Sequence, residues 1–459
     1  ELTLTNAVVC GQTVTVAYVK GTASASDGTT LESFTAKAVA NNVPSTDATL
    51  KAASTVKGQA LTSLGTPNAI LGGEVAGTVT ITAAKASDTS NAATFITLFE
   101  KNNALASAKV VKYAKSSSAA NFETDAAYNN EAIGDEDFFI IKVTAQDTTT
   151  IKYYKIIVSV DIADGQYTVT TAAPSENGQI QYVAGAPAKL IVRSNNSNAV
   201  YYGGSKFAAI KTIMTIASNG LLAGDKFSVT GTEITAVEVP APAGARTLAL
   251  GATIKNNATL TLAGHSTNAL IVTGTTSGAI EVKGGSVDVS DAGLTGAISA
   301  TTADSTIAAA TTRVVTVSAG VASKINNVSF KPTGANIPLT IGANTFTVES
   351  AAAGVSALTI SHLTAVAIKT VALGANLASN CALMLSGPGA GALIVTGTSS
   401  GPIEVKGGIV DVPDANLTGT VSATTTSSGI TTGTKAVNTT GVLSFNITGT
   451  GLENSTGGS

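Results

Sequence analysis

The chain has few charged and few aromatic side chains. Of its 459 residues, 12% are charged and 4% are aromatic, and it has no Trp and only two His. It lacks a run of about 18 apolar residues, so we do not expect insertion into a membrane. Lys and Arg form no cluster and the net charge is −3, so nucleic acid is not an expected partner.

Ala, Thr, Val, Gly and Ser make up most of what remains. Disordered chains are rich in charge and poor in β-branched residues, and this composition is the reverse, so it indicates a folded β protein. A surface with so few charges can pack against copies of itself with little desolvation of charge. The composition therefore favours a homo-oligomer such as a lattice or fibre.

The two cysteines, Cys10 and Cys381, lie far apart in the sequence, and we do not expect them to form a disulfide. Cys381 aligns with Ala258 in the internal repeat described below, which predicts a small buried residue. The chain begins at Glu1 with neither Met nor a signal peptide, which we interpret as a processed or trimmed protein that has lost its export signal.

Strand patterns dominate the sequence. Residues 12–19 and 76–83 alternate β-branched and small side chains. Two denser apolar runs, 138–143 and 151–160, flank a polar turn, which predicts a β-hairpin.

The C-terminal half contains an internal repeat. Residues 247–302 align without a gap with residues 370–425, at an offset of 123, and 36 of the 56 positions are identical. This pattern indicates a tandem duplication of a domain of about 120 residues.

Short apolar stretches recur every 8–12 residues within each copy and are separated by glycine-containing turns. This spacing suits either a β-sandwich or a short parallel β-helix. We predict the sandwich, because a solenoid would usually show a shorter self-similarity inside the copy. The expected fold is therefore all-β, with tandem β-sandwich (Ig-like or cadherin-like) domains and a duplicated C-terminal β module, a short β-helix being the alternative.

The predicted organisation has five parts. They are a partial β-sandwich unit at 1–50, a cadherin-like β-sandwich at 51–161, a β-rich domain at 162–234, and the two repeat modules at 235–357 and 358–459.

Two segments resemble known modules. Residues 138–160 resemble the closing hairpin of the cadherin-like β-sandwich modules of bacterial cell-surface proteins, although Asp147 is followed by Thr148 where those modules usually have Gly. Residues 2–42 look like the second half of another such repeat. These modules occur in S-layer proteins, adhesins and surface filaments, so the resemblance implies an extracellular, cell-surface location and contact with the cell envelope.

If the first unit begins inside a domain, it carries an unpaired apolar face. One hypothesis is that another copy completes it by strand addition or swapping. The alternative is an N-terminus that was cut.

Side chains that could support catalysis are scarce. The repeat places Pro388 opposite His265, and neither His265 nor His362 has the spacing of a metal ligand. We find no nucleophile elbow between a strand and a helix pattern. The sequence therefore predicts that the protein is not an enzyme.

The repeated acids are Glu281, Asp288 and Asp291, and they merit attention because β-helical polysaccharide enzymes use paired carboxylates. Glu281 and Lys283 lie two apart on a predicted strand and share a face, which predicts a surface ion pair. Asp288 and Asp291 flank a turn, and we expect them to accept hydrogen bonds from its backbone amides. The second copy repeats these residues as Glu404, Lys406, Asp411 and Asp414.

Aromatic platforms for sugars are absent from the aligned repeat segments, and all nine Tyr precede residue 203. For the pairs Tyr153–Tyr154 and Tyr201–Tyr202 we expect core or strand packing, with sugar contact as the alternative.

Calcium is the one ion that the sequence suggests. Carboxylates, which are hard oxygen ligands, cluster at Asp135 and Asp137, and again at Asp161 and Asp164 near a predicted domain joint. No complete calcium loop is present, and a solvated acidic turn is the alternative.

Together these observations predict a structural, self-assembling extracellular surface protein, either an S-layer lattice or a filament subunit. The alternatives are an adhesin or stalk that presents a binding end and, with less support, a polysaccharide-active β-helix protein.

Overall fold

The computed structural model describes residues 45–47, 55–56, 59–63, 76–81, 101, 104–114, 123–124, 134–135, 138–160, 162–186, 188–194, 196–216, 219–350, 352, 354–423, 428–432, 437–439 and 445–447. These residues divide into two compact units. The first contains the described residues of Glu1–Ile162, Pro174–Asn177 and Val183–Gly204, and the second contains those of Ala163–Ala173, Gly178–Tyr182 and Ser205–Ser459. The predicted partial unit at 1–50, with its proposed strand addition, lies almost entirely outside the described residues.

The first unit contains a mixed seven-stranded sheet with the order β1-β2-β3-β8-β7-β4-β5. Its strands are β1 (Thr55–Val56), β2 (Gln59–Ser63), β3 (Ala76–Ile81), β4 (Ser107–Ala114), β5 (Glu123–Thr124), β7 (Phe138–Thr144) and β8 (Ile151–Val160). The same unit contains β6 (Gly134–Asp135), β11 (Lys189–Ser194) and β12 (Ser197–Tyr201), in which β11 and β12 form a hairpin and β6 runs parallel to β12.

The predicted hairpin at β7 and β8 is confirmed, with the antiparallel register running from Phe138 opposite Ile157 to Thr144 opposite Ile151. In its turn, Asp147 Oδ1 accepts hydrogen bonds from the backbone amides of Thr149 and Thr150, at 3.0 and 2.8 Å. Thr148 has a φ of 62°, in the left-handed region that favours Gly.

The second unit is built from two long sheets and a helix, α1 (Ser205–Thr215). In spatial order, the front sheet contains β10 (Gln179–Val183), β9 (Gly165–Val169), β13 (Lys226–Thr230), β14 (Glu233–Val239), β16 (Ile254–Leu262), β18 (Ile280–Val282), β20 (Ile298–Ala300), β22 (Arg313–Val317), β25 (Ile337–Ile341), β26 (Thr345–Val348), β28 (Ile368–Leu373), β30 (Ala392–Thr396), β32 (Gly408–Asp411), β34 (Ser428–Thr431) and β36 (Phe445–Ile447).

The back sheet has eleven strands. In spatial order they are β15 (Arg246–Ala249), β17 (Leu270–Thr273), β19 (Gly285–Val289), β21 (Ser305–Ala309), β23 (Ser323–Ile325), β24 (Val328–Thr333), β27 (Ala357–His362), β29 (Ala382–Ser386), β31 (Ile403–Val405), β33 (Val421–Ala423) and β35 (Val437–Thr439).

From β14 onward the chain alternates between the front and back sheets, and successive strands of one sheet are mostly parallel. This winding makes a β-solenoid of about ten turns. The prediction of tandem β-sandwiches is therefore wrong, because sandwiches are built from antiparallel strands. The short β-helix named as the alternative for the repeat modules is right only in part, since one longer solenoid contains both copies.

The irregular length of the turns explains why the sequence shows no short period. Along the front sheet, Leu260 pairs with Ile280, Ile280 with Ile298, and Ile298 with Val315. These turns span 20, 18 and 17 residues, and the first turn of the back sheet, from Leu248 to Val272, spans 24. A search for one constant repeat length would miss such turns.

The solenoid interior is filled by stacked aliphatic side chains. Strand patterns alternate buried and outward-facing residues, as in β18 and β20. Leu260, Ile280, Ile298 and Val315 are each no more than 1% exposed. Burying each such side chain contributes roughly 1.5–3 kcal/mol, so this column alone is a substantial part of the core.

Glycines allow successive turns to approach closely at one corner. Gly278 and Gly296 occupy adjacent turns, and a methyl group at Gly296 would overlap the carbonyl oxygen of Gly278. The second copy repeats this arrangement with Gly401 and Gly419. These positions therefore require Gly because of space, with no need for an unusual φ.

The winding is interrupted once between the two copies by a pair of strands that run in the opposite direction. β24 is antiparallel to β23 and β27, and β25 is antiparallel to β22 and β26. The β23–β24 hairpin turns through Asn326 and Asn327, which have φ values of 46° and 69°. Two successive left-handed residues are the signature of the tight hairpin turn that Asn tolerates.

The reversal exchanges the sheets between the two copies. Leu260 lies in the front sheet and its equivalent Leu383 in the back sheet, whereas Leu270 lies in the back sheet and its equivalent Leu393 in the front sheet. Both sheets run without a break through the predicted boundary at residues 357 and 358, which falls inside β27. The two copies therefore share one continuous core and are turned so that equivalent strands face opposite sides.

Helix α1 packs on the first turn of the solenoid. Its buried side chains are Phe207, Ala209, Ile210 and Ile213. The hydroxyl of Thr253 donates to the carbonyl of Ala209 at 3.2 Å, and the amide of Leu221 donates to the carbonyl of Ile213 at 3.0 Å. These hydrogen bonds and the buried side chains of the helix attach it to the first turn.

Candidate functional surface

The outer faces of the solenoid are sheets of small and hydroxyl side chains with few charges. One row of laterally paired outward residues on the front sheet is Thr261, Glu281, Ser299 and Thr316. A second front row is Thr340, Thr347, Ala372 and Thr396, and a back row is Lys331, Thr359, Met384, Glu404 and Ser422. Since adjacent strands lie about 4.8 Å apart, each row presents a regular array that a repeating partner can match.

The predicted surface ion pairs are confirmed in both copies. Lys283 Nζ lies 2.5 Å from Glu281 Oε1 on the front sheet, and Lys406 pairs with Glu404 on the back sheet. The hydrogen bond from Lys283 and a second one from the Thr301 hydroxyl lower the pKa of Glu281. All four charged side chains are 29–39% exposed, so they remain accessible to a partner.

Asp291 and its repeat equivalent Asp414 bind backbone amides of the turns. Asp291 accepts hydrogen bonds from the amides of Gly293 at 2.9 Å and of Gly274, on the neighbouring turn, at 3.0 Å, and these bonds lower its pKa. Asp414 accepts the equivalent bonds from Asn416 and Gly397. The expectation that these aspartates bond backbone amides is therefore confirmed.

The structure does not bring the repeated acids together as a carboxylate pair. Glu281 is in β18 of the front sheet, flanked by Thr261 and Ser299, whereas Asp288 is in β19 of the back sheet. Asp288 Oδ1 accepts hydrogen bonds from the amide and hydroxyl of Ser290. Glu281 and Asp288 therefore lie on opposite sheets of the solenoid, without the shared cleft that glycosidic bond cleavage requires.

The two histidines occupy different environments. The His265 ring is close to Thr267, whose amide and hydroxyl lie 3.2 and 3.1 Å from Nδ1. His362 is buried at the end of β27, with Nε2 lying 2.8 Å from the carbonyl oxygen of Ala367. Each ring therefore interacts with the local loop.

Of the four aspartates predicted as calcium ligands, the structure describes Asp135 and Asp164. Asp164 accepts hydrogen bonds from Lys206 Nζ at 2.8 Å and from the Gly231 amide at 3.0 Å, and the Lys206 bond is the main cause of its lowered pKa. Asp135 lies in β6, in register with Tyr201 of β12. Asp137 and Asp161 lie outside the described residues.

Within the part of the chain that the structure describes, no three His, Cys, Asp or Glu side chains are grouped closely enough to hold a metal ion. Calcium binding stays a prediction.

Cys381 is fully buried, as is its repeat equivalent Ala258, which confirms the predicted small buried residue at this position. Burial raises the pKa of the Cys381 thiol to about 11. Cys10 lies outside the described residues. Among the tyrosine candidates, Tyr201 is buried, which supports core packing at that position.

Comparison with known proteins does not supply a family. No protein-family model, curated protein or solved structure matches the chain. The described residues also include no helix that is both long and apolar enough to cross a membrane.

The sequence patterns did not single out one exposed apolar loop. Leu363 and Val366, between β27 and β28, and Ile368, the first residue of β28, are 51, 83 and 57% exposed. Such apolar groups commonly mark contact surfaces. The sequence feature that could have revealed this surface is the presence of three large aliphatic residues within the six positions 363–368.

Proposed function

We propose that this protein is a structural subunit that assembles with copies of itself into an extracellular lattice or filament. The observation that carries the proposal is the pair of solenoid faces, which are regular, accessible and poor in charge. Packing two such faces together requires little desolvation of charge, and their regular rows allow the same contact to repeat.

Three further observations support assembly. The loop with Leu363 and Val366, together with Ile368 at the start of β28, exposes apolar surface that a neighbouring copy would cover. The tandem duplication gives one chain two equivalent surfaces. Glu281 and Glu404 are occupied in ion pairs, and Asp291 and Asp414 in turn hydrogen bonds, so these four acids need no catalytic role to explain them.

A cell-surface location belongs to the same proposal. It rests on the resemblance of residues 138–160 to cadherin-like surface modules, and the confirmed hairpin with its Asp147 turn is compatible with that resemblance. The proposal includes contact with the cell envelope but names no anchoring segment.

Negative-stain electron microscopy of the purified protein, with and without millimolar calcium, tests the proposal. We expect sheets, tubes or fibres at high protein concentration, together with a concentration-dependent mass in sedimentation. Calcium-dependent assembly would support ligands among the aspartates at 135–137 and 161–164. Single particles at every concentration would contradict self-assembly.

A stalk that presents a binding end is the second candidate, and the solenoid itself favours it. A stack of about ten turns with strands about 4.8 Å apart extends roughly 50 Å, which suits a spacer. Isolated rods in the micrographs would support this candidate.

A further inference from the structure

The two copies of the internal repeat differ in how well their outward-facing residues match. In the segment 247–268 against 370–391, 9 of 22 positions are identical, whereas in 269–302 against 392–425, 27 of 34 are identical. Buried positions stay apolar in both segments: Leu260 and Leu383 are identical, and the buried residues that differ, such as Ile254 and Leu377, are exchanged for other apolar residues. The difference therefore lies largely in residues that the core does not constrain.

Outward positions of the first segment have diverged. Lys255, Thr259 and Thr261 correspond to Ala378, Ala382 and Met384.

Most outward positions of the second segment have not diverged, the exceptions including Ala279, Ser290 and Ala297, which correspond to Pro402, Pro413 and Thr420. Identical pairs with outward-facing side chains are Ile271 and Ile394, Thr275 and Thr398, Ser277 and Ser400, Glu281 and Glu404, Lys283 and Lys406, and Ser299 and Ser422. A duplication that was merely recent would leave both segments equally similar. A requirement other than core packing therefore keeps outward-facing residues of the second segment the same in both copies.

The exchange of sheets places the matching surfaces on opposite sides of the solenoid. We define the Glu-Lys patch as Glu281, Lys283 and Ser299 on the front sheet, and as Glu404, Lys406 and Ser422 on the back sheet. Both versions contain the same ion pair with nearly the same exposure. Each chain thus presents one patch on each face.

We propose that the Glu-Lys patch is a homotypic contact through which each chain binds two further copies of itself, one on each face. In a two-fold contact, a patch faces itself, so the Glu of one copy meets the Lys of the other. A patch with one acid and one base is complementary to itself in this arrangement. Two such patches on opposite faces generate an open chain of subunits that does not close.

This inference rests on the proposed self-assembly, and variants that reverse a single charge test it separately. Lys283→Glu and Lys406→Glu each place two acids in one patch, so that patch repels its equivalent in a second copy. Lys255→Glu is the matched control, because Lys255 lies on the front sheet 3.8 Å from Glu233 but at a position that differs between the copies.

Sedimentation velocity at low ionic strength gives the readout, with circular dichroism and melting to verify folding. We expect the wild type and Lys255→Glu to form open assemblies, each single patch variant to stop at dimers of the 45.3 kDa chain, and the double variant to be monomeric. Patch variants that assemble like the wild type, or a loss of assembly from only one patch, would overturn the inference while leaving self-assembly intact. A monomeric wild type would refute the proposed function and the patch contact together.

Discussion

Arg246 and Asp225 form a buried two-point ion pair at the start of the solenoid. Arg246 Nη1 lies 2.8 Å from Asp225 Oδ1, Nη2 donates to Oδ2, and Nη2 also lies 3.1 Å from the carbonyl oxygen of Gly220. The two side chains are 9% and 2% exposed. Because Arg246 begins β15 and Asp225 precedes β13, the pair ties the first strand of the back sheet to the loop after helix α1.

Asp225→Asn should lower the free energy of unfolding by about 3–5 kcal/mol, because it leaves the Arg246 charge buried without its partner. Chemical denaturation followed by circular dichroism measures the change. Glu238→Gln is the control: Glu238 pairs with Lys226 at 3.1 Å with both side chains 39% exposed, and it should cost less than about 1 kcal/mol. Equal effects from the two variants would show that burial of the first pair does not matter.

The sequence was sufficient to predict local features and insufficient to predict the winding. The hairpin at β7 and β8, the Glu281–Lys283 pair and the amide bonds of Asp291 all follow from residues close together in the chain. Helix α1 was not predicted, although Phe207, Ile210 and Ile213 recur at a helical spacing of three.

The choice between sandwich and solenoid depends on which strands pair, and that is a long-range property. Apolar stretches every 8–12 residues fit both folds, and turn lengths between 17 and 24 residues hide the period. The exchange of sheets between the copies depends on the reversal at β24 and β25. Its sequence signal was the pair Asn326–Asn327 between two apolar stretches.

Gly296→Ala should destabilise the solenoid, because the added methyl group would overlap the carbonyl oxygen of Gly278 on the preceding turn. Overpacking of this kind costs about 1–3 kcal/mol. Gly244→Ala is the control, since a methyl group there meets no atom within 4 Å. Thermal unfolding of the two variants in parallel makes the comparison. A Gly296→Ala protein as stable as the control would mean that the stacked turns can separate without cost.

Thr148→Gly should stabilise the β7–β8 hairpin. Thr148 has a φ of 62°, a conformation that costs residues with a β-carbon roughly 1–2 kcal/mol, and Gly avoids this strain while losing some backbone entropy. We expect a net gain of up to about 1 kcal/mol, measured as slower amide hydrogen exchange in peptides covering 138–160. Thr149→Gly is the control, since Thr149 is not among the residues of positive φ and should gain nothing from the change. Faster exchange in Thr148→Gly would indicate that the entropy loss outweighs the strain.

Stability should fall at alkaline pH because of the Cys381 thiol. Burial raises its pKa from the ordinary value of 9.0 to about 11, so between these values the folded chain retains a proton that the unfolded chain releases. The free energy of unfolding therefore decreases as the pH rises through this window. Above about pH 11 the thiol is ionised in both states and causes no further decrease. The difference between a pKa of 9.0 and one of about 11 corresponds to about 3 kcal/mol.

Cys381→Ala isolates this effect from the titration of Lys and Tyr, and its repeat equivalent Ala258 shows that the site accepts Ala. We expect the free energy of unfolding of the wild type, relative to Cys381→Ala, to be constant below pH 8 and to decline between pH 9 and 11. The native thiol should also resist alkylation at neutral pH and react once the chain is unfolded, because the reactive thiolate is suppressed by burial. A constant difference between the two proteins up to pH 11, or rapid labelling of the native protein at residue 381, would contradict the buried environment of this thiol.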